Sequence, residues 1–332
     1  MQQTQVVQSP VILRHKPEVC ACICTRNSQV TLPRCLDSLA GQHLPADRFS
    51  ILVVDDGSTD DTADTFREWR DNHPDLTARL VCQPHAGLAA TRNAGLQLSD
   101  AALVAYVSAE AIAGPGWLTG LLDAFAEFPG AAAVAGQVQP LWPAGRPRRW
   151  HRDLAAFLGC FDHGGQPCTL ALPHLPSGCN FAVRRNVAVG LGRFRSELGP
   201  RKTTLLTGEH TELFLRMLAT DYQVAYWPDA AVHLAIPPQR VTREYLLHRA
   251  WTHGRSMARL AYACPQIAGR LSNPAASPGA IIPDRRHSPL HLSYWSDVLF
   301  DLGFRWQRAA FSQTLFRHHA ATHLRRAAAY LF

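Results

Sequence analysis

Short apolar runs alternate with amphipathic segments along the first third of the chain. Apolar runs of this length are typical of strands buried in a sheet, and the segments between them repeat apolar residues at helical spacing. The pattern predicts strands at 19–28, 51–54, 78–83 and 102–108, and helices at 31–42, 59–69 and 85–99. Strands that alternate with helices favour a parallel sheet with crossover helices.

The pattern continues, less regularly, from Ala131 to about residue 240. It predicts strands at 132–140, 176–185 and 222–238, and a helix at 208–222. We therefore expect one large α/β domain, which we place at 19–240, preceded by a flexible leader at 1–18.

The pattern changes beyond Val241. Residues 241–263 are typical of a basic amphipathic helix, whereas 265–290 hold five prolines and no clear periodicity, which favours a linker. A helical pattern rich in Trp, Phe, Arg and His returns at 293–332. We therefore assign 241–332 to a basic helical C-terminal region.

The net charge of +7 is unevenly distributed along the 332 residues. Residues 241–332 contain twelve Arg, no Lys and four acids, which gives 12 − 4 = +8 and leaves −1 for residues 1–240. The main domain therefore lacks the basic surface of a nucleic-acid-binding protein, and we expect no nucleic-acid partner. Salt-sensitive binding of nucleic acid through the tail alone is the least favoured alternative.

The cysteine pattern and the lengths of the apolar runs indicate in which cellular compartment the protein works. Nine cysteines, an odd number, show no paired spacing, and Cys20, Cys22 and Cys24 alternate along a predicted strand, so we expect free thiols rather than disulfides or a metal site. Neither a signal peptide nor a membrane-spanning run is predicted. We expect a cytoplasmic protein.

Polar residues follow several of the predicted strands. Thr25, the pair Asp55 and Asp56, and the turn 108–110 each come at the end of a strand. In sheets of this kind ligands bind beyond the carboxyl ends of the strands, so we expect these residues to lie on one rim. Asp55 and Asp56 also fit a simpler role, in which they begin a turn and cap a helix.

Seven motifs occur in an order that resembles the family-2 glycosyltransferases, which are inverting enzymes with the GT-A fold that use nucleotide-sugar donors. The motifs are CTRN (24–27), VVDDGSTDDT (53–62), GLAATRNAGL (87–96), PGWL (115–118), SGCNFAVRR (177–185), GEHTELFLRM (208–217) and PDAAVHLAIPP (228–238). The resemblance spans about residues 19–260. It implies a GT-A domain, in which helices flank a mixed α/β sheet, with a helical C-terminal extension. The implied activity is transfer of a sugar from a nucleotide donor, UDP by default, in polysaccharide or glycoconjugate biosynthesis.

The resemblance also implies site residues. Those implied for donor binding are Thr25, Asp55, Asp56, Gly87, Arg92, Asn93, Ser108 and Glu110, with Asp56 on the donor's base. Those implied for the acceptor side are Gly178, Asn180 and Trp117, within reach of a segment at 140–176 that includes Trp142, Trp150 and His163. For Arg92, a solvated helix residue is an equal alternative.

The chain departs from the family at the turn 108–110. The family usually has Asp-x-Asp there, and the last acid binds Mg²⁺ or Mn²⁺ that neutralises the leaving diphosphate. Glu110 keeps a carboxylate at the metal position, but Ser108 has none, and Leu234 occupies the place of a metal-binding histidine, beside His233. A divalent metal is therefore expected to be weakly bound or absent.

The second departure is at the catalytic base. The resemblance places His210 at the base position, with Glu209 and Glu212 available to orient or replace it. Histidine can accept a proton at neutral pH, and the positive end of a helix favours its neutral form. The alternative is that His210 is an ordinary surface residue of the first helical turn.

These departures leave two interpretations. In the first, the enzyme is active and fixed cations, for which Arg201 and Lys202 are the candidates, replace part of the metal's charge. Lys202 also fits an exposed flexible loop. In the second, the chain is an inactive family member that binds a nucleotide sugar or a partner. We favour activity because the base-binding acids, Glu110 and Glu209 are retained.

The basic C-terminal region also allows two roles. Arg- and Trp-rich amphipathic helices bind anionic membranes, which would place the protein at the inner membrane face. Alternatively, the region packs on the main domain, where it forms a homodimer contact or closes the acceptor site. We favour packing, because His and Ala dilute its apolar face.

Overall fold

The structure is a computed structural model that describes residues 5–8, 16–147, 154–172, 174–199, 207–264 and 302–307. Its centre is one ten-stranded sheet in the order β1-β4-β3-β2-β5-β9-β7-β10-β6, with β8 paired to β10. The strands are β1 Gln5–Gln8, β2 Val19–Thr25, β3 Phe49–Asp55, β4 Ala78–Cys82, β5 Leu103–Ser108, β6 Ala111–Ala113, β7 Ala131–Leu141, β8 Cys168–Leu170, β9 Asn180–Arg184 and β10 Gln223–Ala235. The helices are α1 Leu32–Ala40, α2 Thr62–Asp71, α3 Leu88–Leu98, α4 Trp117–Glu127, α5 Arg185–Gly190, α6 Glu209–Leu218 and α7 Arg243–Ala263.

The first half of the sheet is parallel, as the alternating pattern predicts. Strands β4, β3, β2 and β5 are neighbours and run in one direction. Their apolar runs are continuous because helices cover both faces; Leu52, Val53 and Val54, for example, are all buried. The parallel arrangement brings the carboxyl ends of β2, β3 and β5 to the same edge.

The second half makes the sheet mixed, again as expected. Strand β9 is antiparallel to β5 and to β7, whereas β7 and β10 are parallel. The turn after β5 leads into β6, which pairs antiparallel with the end of β10 and so fixes the turn 108–110 to the exit of that strand. Strands β10 and β6 therefore contribute to the same sheet edge as the parallel half.

Two apolar cores lie on opposite faces of the sheet. One contains Phe66 and Trp117, and the other contains Phe181, Phe214 and Tyr226. The cysteines follow this division, with Cys20 and Cys22 in the second core. All nine cysteines are free thiols, as expected. The alternating side chains of one strand thus reach both cores.

Asn180 and Trp117, which the resemblance implies for the acceptor side, lie in the interior instead. Asn180 is fully buried, accepts a hydrogen bond from Trp117 Nε1 at 2.8 Å, and donates to the carbonyls of Ala230 at 2.7 Å and Gln137 at 3.0 Å. Because these partners belong to α4, β7 and β10, the amide joins three elements. Both residues hold the fold rather than face a ligand.

The two ends of the chain are described only in part. Residues 5–8 form β1, an antiparallel edge strand on β4, within the segment expected to be a flexible leader. Val6 and Val7 are β-branched residues, which favour an extended strand. Helix α7 matches the predicted basic helix, and its Leu246, Met257 and Leu260 are buried. The proposed linker at 265–290 lies outside the described residues, as does most of 293–332.

Within the described ranges, no helix combines the length and apolar character needed to cross a bilayer.

We predict that Asn180→Ala destabilises the protein by about 2–4 kcal/mol, because the Trp117 indole and two buried carbonyls lose their partner. Urea unfolding followed by fluorescence measures the change. Asn72→Ala is the matched control, since Asn72 is exposed and donates only to a helix carbonyl. Equal stability of the two variants would contradict the assigned role.

Candidate active site

A cavity of about 1100 Å³ opens at the carboxyl edge of the sheet. Seven of the residues implied by the resemblance line it: Thr25, Arg92, Ser108, Glu110, Gly178, Glu209 and His210. They come from β2, α3, the turn after β5, the loop before β9 and the start of α6, so residues far apart in sequence meet at one edge. Trp142 and His163 also line it.

Asp56 lies behind the cavity wall. Its carboxylate accepts hydrogen bonds from the backbone N–H groups of Ala86 at 2.8 Å and Gly87 at 2.9 Å, from Gln83 Nε2 at 2.9 Å and from His85 Nδ1 at 2.7 Å. These four bonds use the acceptor directions of the carboxylate. In this structure Asp56 therefore orders the loop before α3. Gly87, at φ +93°, begins that helix in a conformation that glycine tolerates.

Asp55 and Asn93 likewise bind other parts of the chain. Asp55 accepts from the backbone N–H of Ser58 at 3.0 Å, and burial raises the pKa of its carboxyl group. The side chain of Asn93 pairs with both the N–H and the C=O of Phe194, at 2.9 and 2.8 Å. Each residue therefore holds a loop that borders the site.

The centre of the site is a buried ion pair between Arg92 and Glu209. Arg92 Nη1 donates to Glu209 Oε1, and Arg92 Nη2 donates to the carbonyl of Gly178 at 2.6 Å. Both side chains are almost fully buried, at 5% and 1% exposure. The guanidinium also lies 5.2 Å from the Phe181 ring centroid, so aromatic surface surrounds a paired charge.

The pair fixes the charge of Glu209. Burial opposes ionisation, but the Arg92 guanidinium and His210 outweigh it and lower the pKa of Glu209 to about 2. The carboxylate is therefore ionised at any physiological pH. His210 Nδ1 lies 3.3 Å from Glu209 Oε1. A carboxylate there favours the tautomer with the proton on Nδ1, which leaves Nε2 able to accept a proton.

The absence of a side chain at Gly178 leaves room for Arg92 and His210. A Cβ at this position would lie 2.8 Å from Arg92 Nη2 and 2.9 Å from His210 Nδ1. Only glycine therefore lets the loop before β9 approach both side chains. Gly178 lines the cavity as expected, and it does so beside the candidate base.

Glu212 has a different environment from Glu209. It pairs with Arg216 one turn further along α6, at 2.8 and 2.7 Å, and is 1% exposed. It does not line the cavity. Of the three residues considered for the base, only His210 and Glu209 lie at the cavity.

Glu110 faces an arginine. Its two carboxylate oxygens accept from Arg240 Nη1 and Nη2, each at 2.5 Å, and its backbone N–H donates to Ser108 Oγ at 3.3 Å. Leu234 is buried and His233 is exposed on the other face of β10, so neither adds a ligand. In the described ranges, no group of three or more His, Cys, Asp or Glu side chains could hold a metal ion. With its one carboxylate paired to Arg240, the donor set that the described residues offer at this turn does not fit a bound divalent cation.

Arg240 and the inward face of α7 were not predicted as site residues. Tyr245, Arg249, His253 and Met257 recur at intervals of four and line the cavity. The four-residue spacing within the basic helix was the signal that could have identified this stripe. Because the stripe forms a wall, α7 belongs structurally to the site.

The cavity is positively charged. Five arginines and three acids are among the described residues that line it, so their formal charge is 5 − 3 = +2. Such a wall attracts anions. Arg201, Lys202 and Trp150 lie outside the described residues.

The chain belongs to glycosyl transferase family 2, because the model of that family matches residues 20–191. Among curated proteins, it is 30% identical to the succinoglycan biosynthesis protein ExoM of Rhizobium meliloti, over 71% of this chain and 74% of that protein. It is also 34% identical to validoxylamine A glucosyltransferase of Streptomyces hygroscopicus subsp. limoneus, over 40% of this chain but only 29% of that protein. These relatives identify the protein as a glycosyltransferase.

A comparison with solved structures agrees on the fold. The chain is similar to the mannosyltransferase PcManGT of Pyrobaculum calidifontis, solved with GDP-Man and Mn²⁺, with a TM-score of 0.57 and 21% identity over 97% of this chain and 84% of that one. The mixed sheet and its flanking helices form the GT-A fold, as the motifs indicated.

We predict that the stability contributed by Glu209 depends on pH. Because its folded pKa lies below the unfolded value of 4.5, the contribution is complete above that value and is lost as pH falls towards 2. The gap in unfolding free energy between wild type and Glu209→Gln should therefore shrink by about 2 kcal/mol between pH 6 and pH 3.

Urea unfolding at each pH measures this gap. The control is Glu127→Gln, since Glu127 is an exposed acid at the end of α4, and its gap should stay constant. A gap for Glu209→Gln that does not change with pH would show that the carboxylate is not held ionised by its partners.

Proposed function

We propose that this glycosyltransferase moves a sugar from a nucleotide-diphosphate donor to an acceptor hydroxyl with inversion, and that His210 is the general base. The observation that carries the proposal is the Arg92–Glu209–His210 chain, which presents one imidazole at a cationic cavity. A hexose is the expected sugar, in keeping with the names of the relatives.

The proposed chemistry is a single displacement. His210 Nε2 removes the proton of the acceptor hydroxyl as its oxygen attacks the anomeric carbon. The bond from that carbon to the diphosphate oxygen breaks on the opposite face, and its electron pair leaves with the diphosphate. Glu209, ionised next to Nδ1, stabilises the imidazolium that forms.

The donor and acceptor are assigned to different walls. Thr25, whose buried hydroxyl has no hydrogen-bond partner in the described part of the chain, lies with Ser108 and Glu110 at the ends of β2 and β5, where we place the donor. The α7 stripe apart from Arg249, with the segment around Trp142 and His163, forms the acceptor side. UDP is the default nucleotide. A role in polysaccharide biosynthesis follows from the similarity to ExoM.

The contacts of helix α7 favour the interpretation in which the C-terminal region packs on the main domain over the one in which it binds a membrane. Its apolar residues are buried against the main domain and its inward stripe lines the cavity, so this part of the C-terminal region closes the acceptor side. Peripheral membrane contact or dimerisation would then involve residues beyond 264. Both stay predictions, together with a cytoplasmic location.

The alternative is a family member that binds a nucleotide sugar without turnover. It is favoured by the engagement of Asp56 with its own loop and of Glu110 with Arg240. Thermal protection by a donor without its consumption would support this alternative.

We predict that His210→Ala lowers transfer by at least about 100-fold while donor binding is retained, because the base acts only on the acceptor proton. A thermal-shift panel of UDP-, GDP- and dTDP-sugars, followed by product analysis with the stabilising donor and a set of acceptors, measures both properties.

His43→Ala is the control, since His43 is exposed and is not among the residues that line the cavity. Its transfer rate should equal that of wild type. Unchanged transfer by His210→Ala would exclude His210 as the base and leave Glu209 as the remaining candidate at the cavity.

A further inference from the structure

The Glu110–Arg240 pair is fixed by the backbone on both sides. The N–H of Ala235 donates to the carbonyl of Glu110 at 3.0 Å, which ties the turn after β5 to the end of β10. Arg240 follows in a 3₁₀ turn, Pro238–Val241, closed by its own N–H on the carbonyl of Pro237 at 2.9 Å. The guanidinium is therefore positioned at the cavity before any ligand arrives.

Arg240 can offer a ligand both its positive charge and its N–H hydrogen-bond donors. Burial works against its charged form, but Glu110 outweighs it and raises the pKa of Arg240. A guanidinium has five N–H donors, of which the two bonds to Glu110 use two. The side chains are 32% and 30% exposed. Counting partners among the described residues alone, three donors thus remain at a surface that lines the cavity.

Arg249 adds a second cation from α7. It lines the same cavity, and its Nε donates to the carbonyl of Phe157 at 3.2 Å. Burial and, to a smaller extent, the neighbouring Arg240 lower the pKa of Arg249. The charges of the two arginines therefore interact, and an anion that contacts both would offset their repulsion.

We propose that the Arg240 guanidinium, held by Glu110 and assisted by Arg249, binds the donor's diphosphate in place of a divalent cation. This inference rests on the proposed function and assigns a binding role that the sequence motifs gave to a metal. As the bond to the sugar breaks, the diphosphate oxygen gains one negative charge, and the arginine N–H groups donate hydrogen bonds to it. No proton is transferred.

Charge balance explains why Ser108 suits this arrangement. Two carboxylates with a divalent cation sum to zero, and so do one carboxylate and one guanidinium. A second acid at 108 would leave the pair with a net negative charge next to the diphosphate. One carboxylate in the turn is therefore enough to balance the charge of the Arg240 guanidinium.

Calorimetric titration of the purified full chain tests the proposal. UDP, GDP and dTDP are each titrated with EDTA and with Mn²⁺, and uridine, guanosine and thymidine serve as probes that lack the diphosphate. For wild type we expect the best diphosphate to bind equally, within twofold, in EDTA and in Mn²⁺. This comparison needs no variant.

Arg240→Gln should weaken diphosphate binding in EDTA by at least about tenfold and leave nucleoside binding unchanged, because only the charged contact is lost. Retained nucleoside binding also shows that the variant is folded. Arg240→Lys keeps the charge but not the paired N–H donors of a guanidinium, so it should lose less affinity for the diphosphate than Arg240→Gln. Arg243→Gln is the matched control, since Arg243 is exposed at the start of α7, and should bind like wild type.

Diphosphate binding that Mn²⁺ strengthens tenfold or more in wild type, with Arg240→Gln unaffected, would overturn the inference while the proposed transfer reaction stands. Absence of binding by every nucleoside diphosphate, with and without Mn²⁺, would overturn both.

Discussion

The site depends on one buried interaction, the ion pair of Arg92 with Glu209. A charge removed from water is tolerated only when it is paired and hydrogen-bonded, and this pair meets that condition through Gly178 and His210. It joins α3 to the loop before β9 and to α6. Along the chain, Gly178 lies 86 residues after Arg92 and Glu209 lies 117 residues after it. Removing either partner would leave the other charged in an apolar surrounding, so the pair fixes the relative positions of these elements.

Electrostatics divides the remaining polar residues into two groups. Asp55, Asp56, Asn93 and Glu212 are satisfied by the protein itself and hold loops or helix α6 in place. Among the charged residues that line the cavity in the described part of the chain, arginines outnumber acids by five to three. Such a division is expected when rigid supports surround a site that must bind an anion, because the supports lose nothing when the ligand leaves.

Much of the fold was predictable because apolar runs and helical periodicity determine which segments are buried. The strands at β2 to β5 and helix α6 are examples, and the strand-end rule brought Thr25, Ser108 and Glu110 together. Side-chain partners were not predictable in the same way. Asn180 and Trp117 are motif residues, but whether they face a cavity depends on contacts with β7 and β10. Arg240 lies just beyond the last predicted strand and belongs to none of the motifs, and its importance comes from its contact with Glu110, 130 positions earlier.

The stripe on α7 has an evolutionary consequence. Apart from Arg249, the stripe consists of Tyr245, His253 and Met257, which form one line along the cavity wall, while Leu246 and Leu260 of the same helix are buried in the core. Exchanges along that line would alter one wall of the cavity without disturbing the strand ends that form the opposite wall. A descendant of this protein could therefore accept a different molecule and still use the same activated sugar, since separate elements recognise the two.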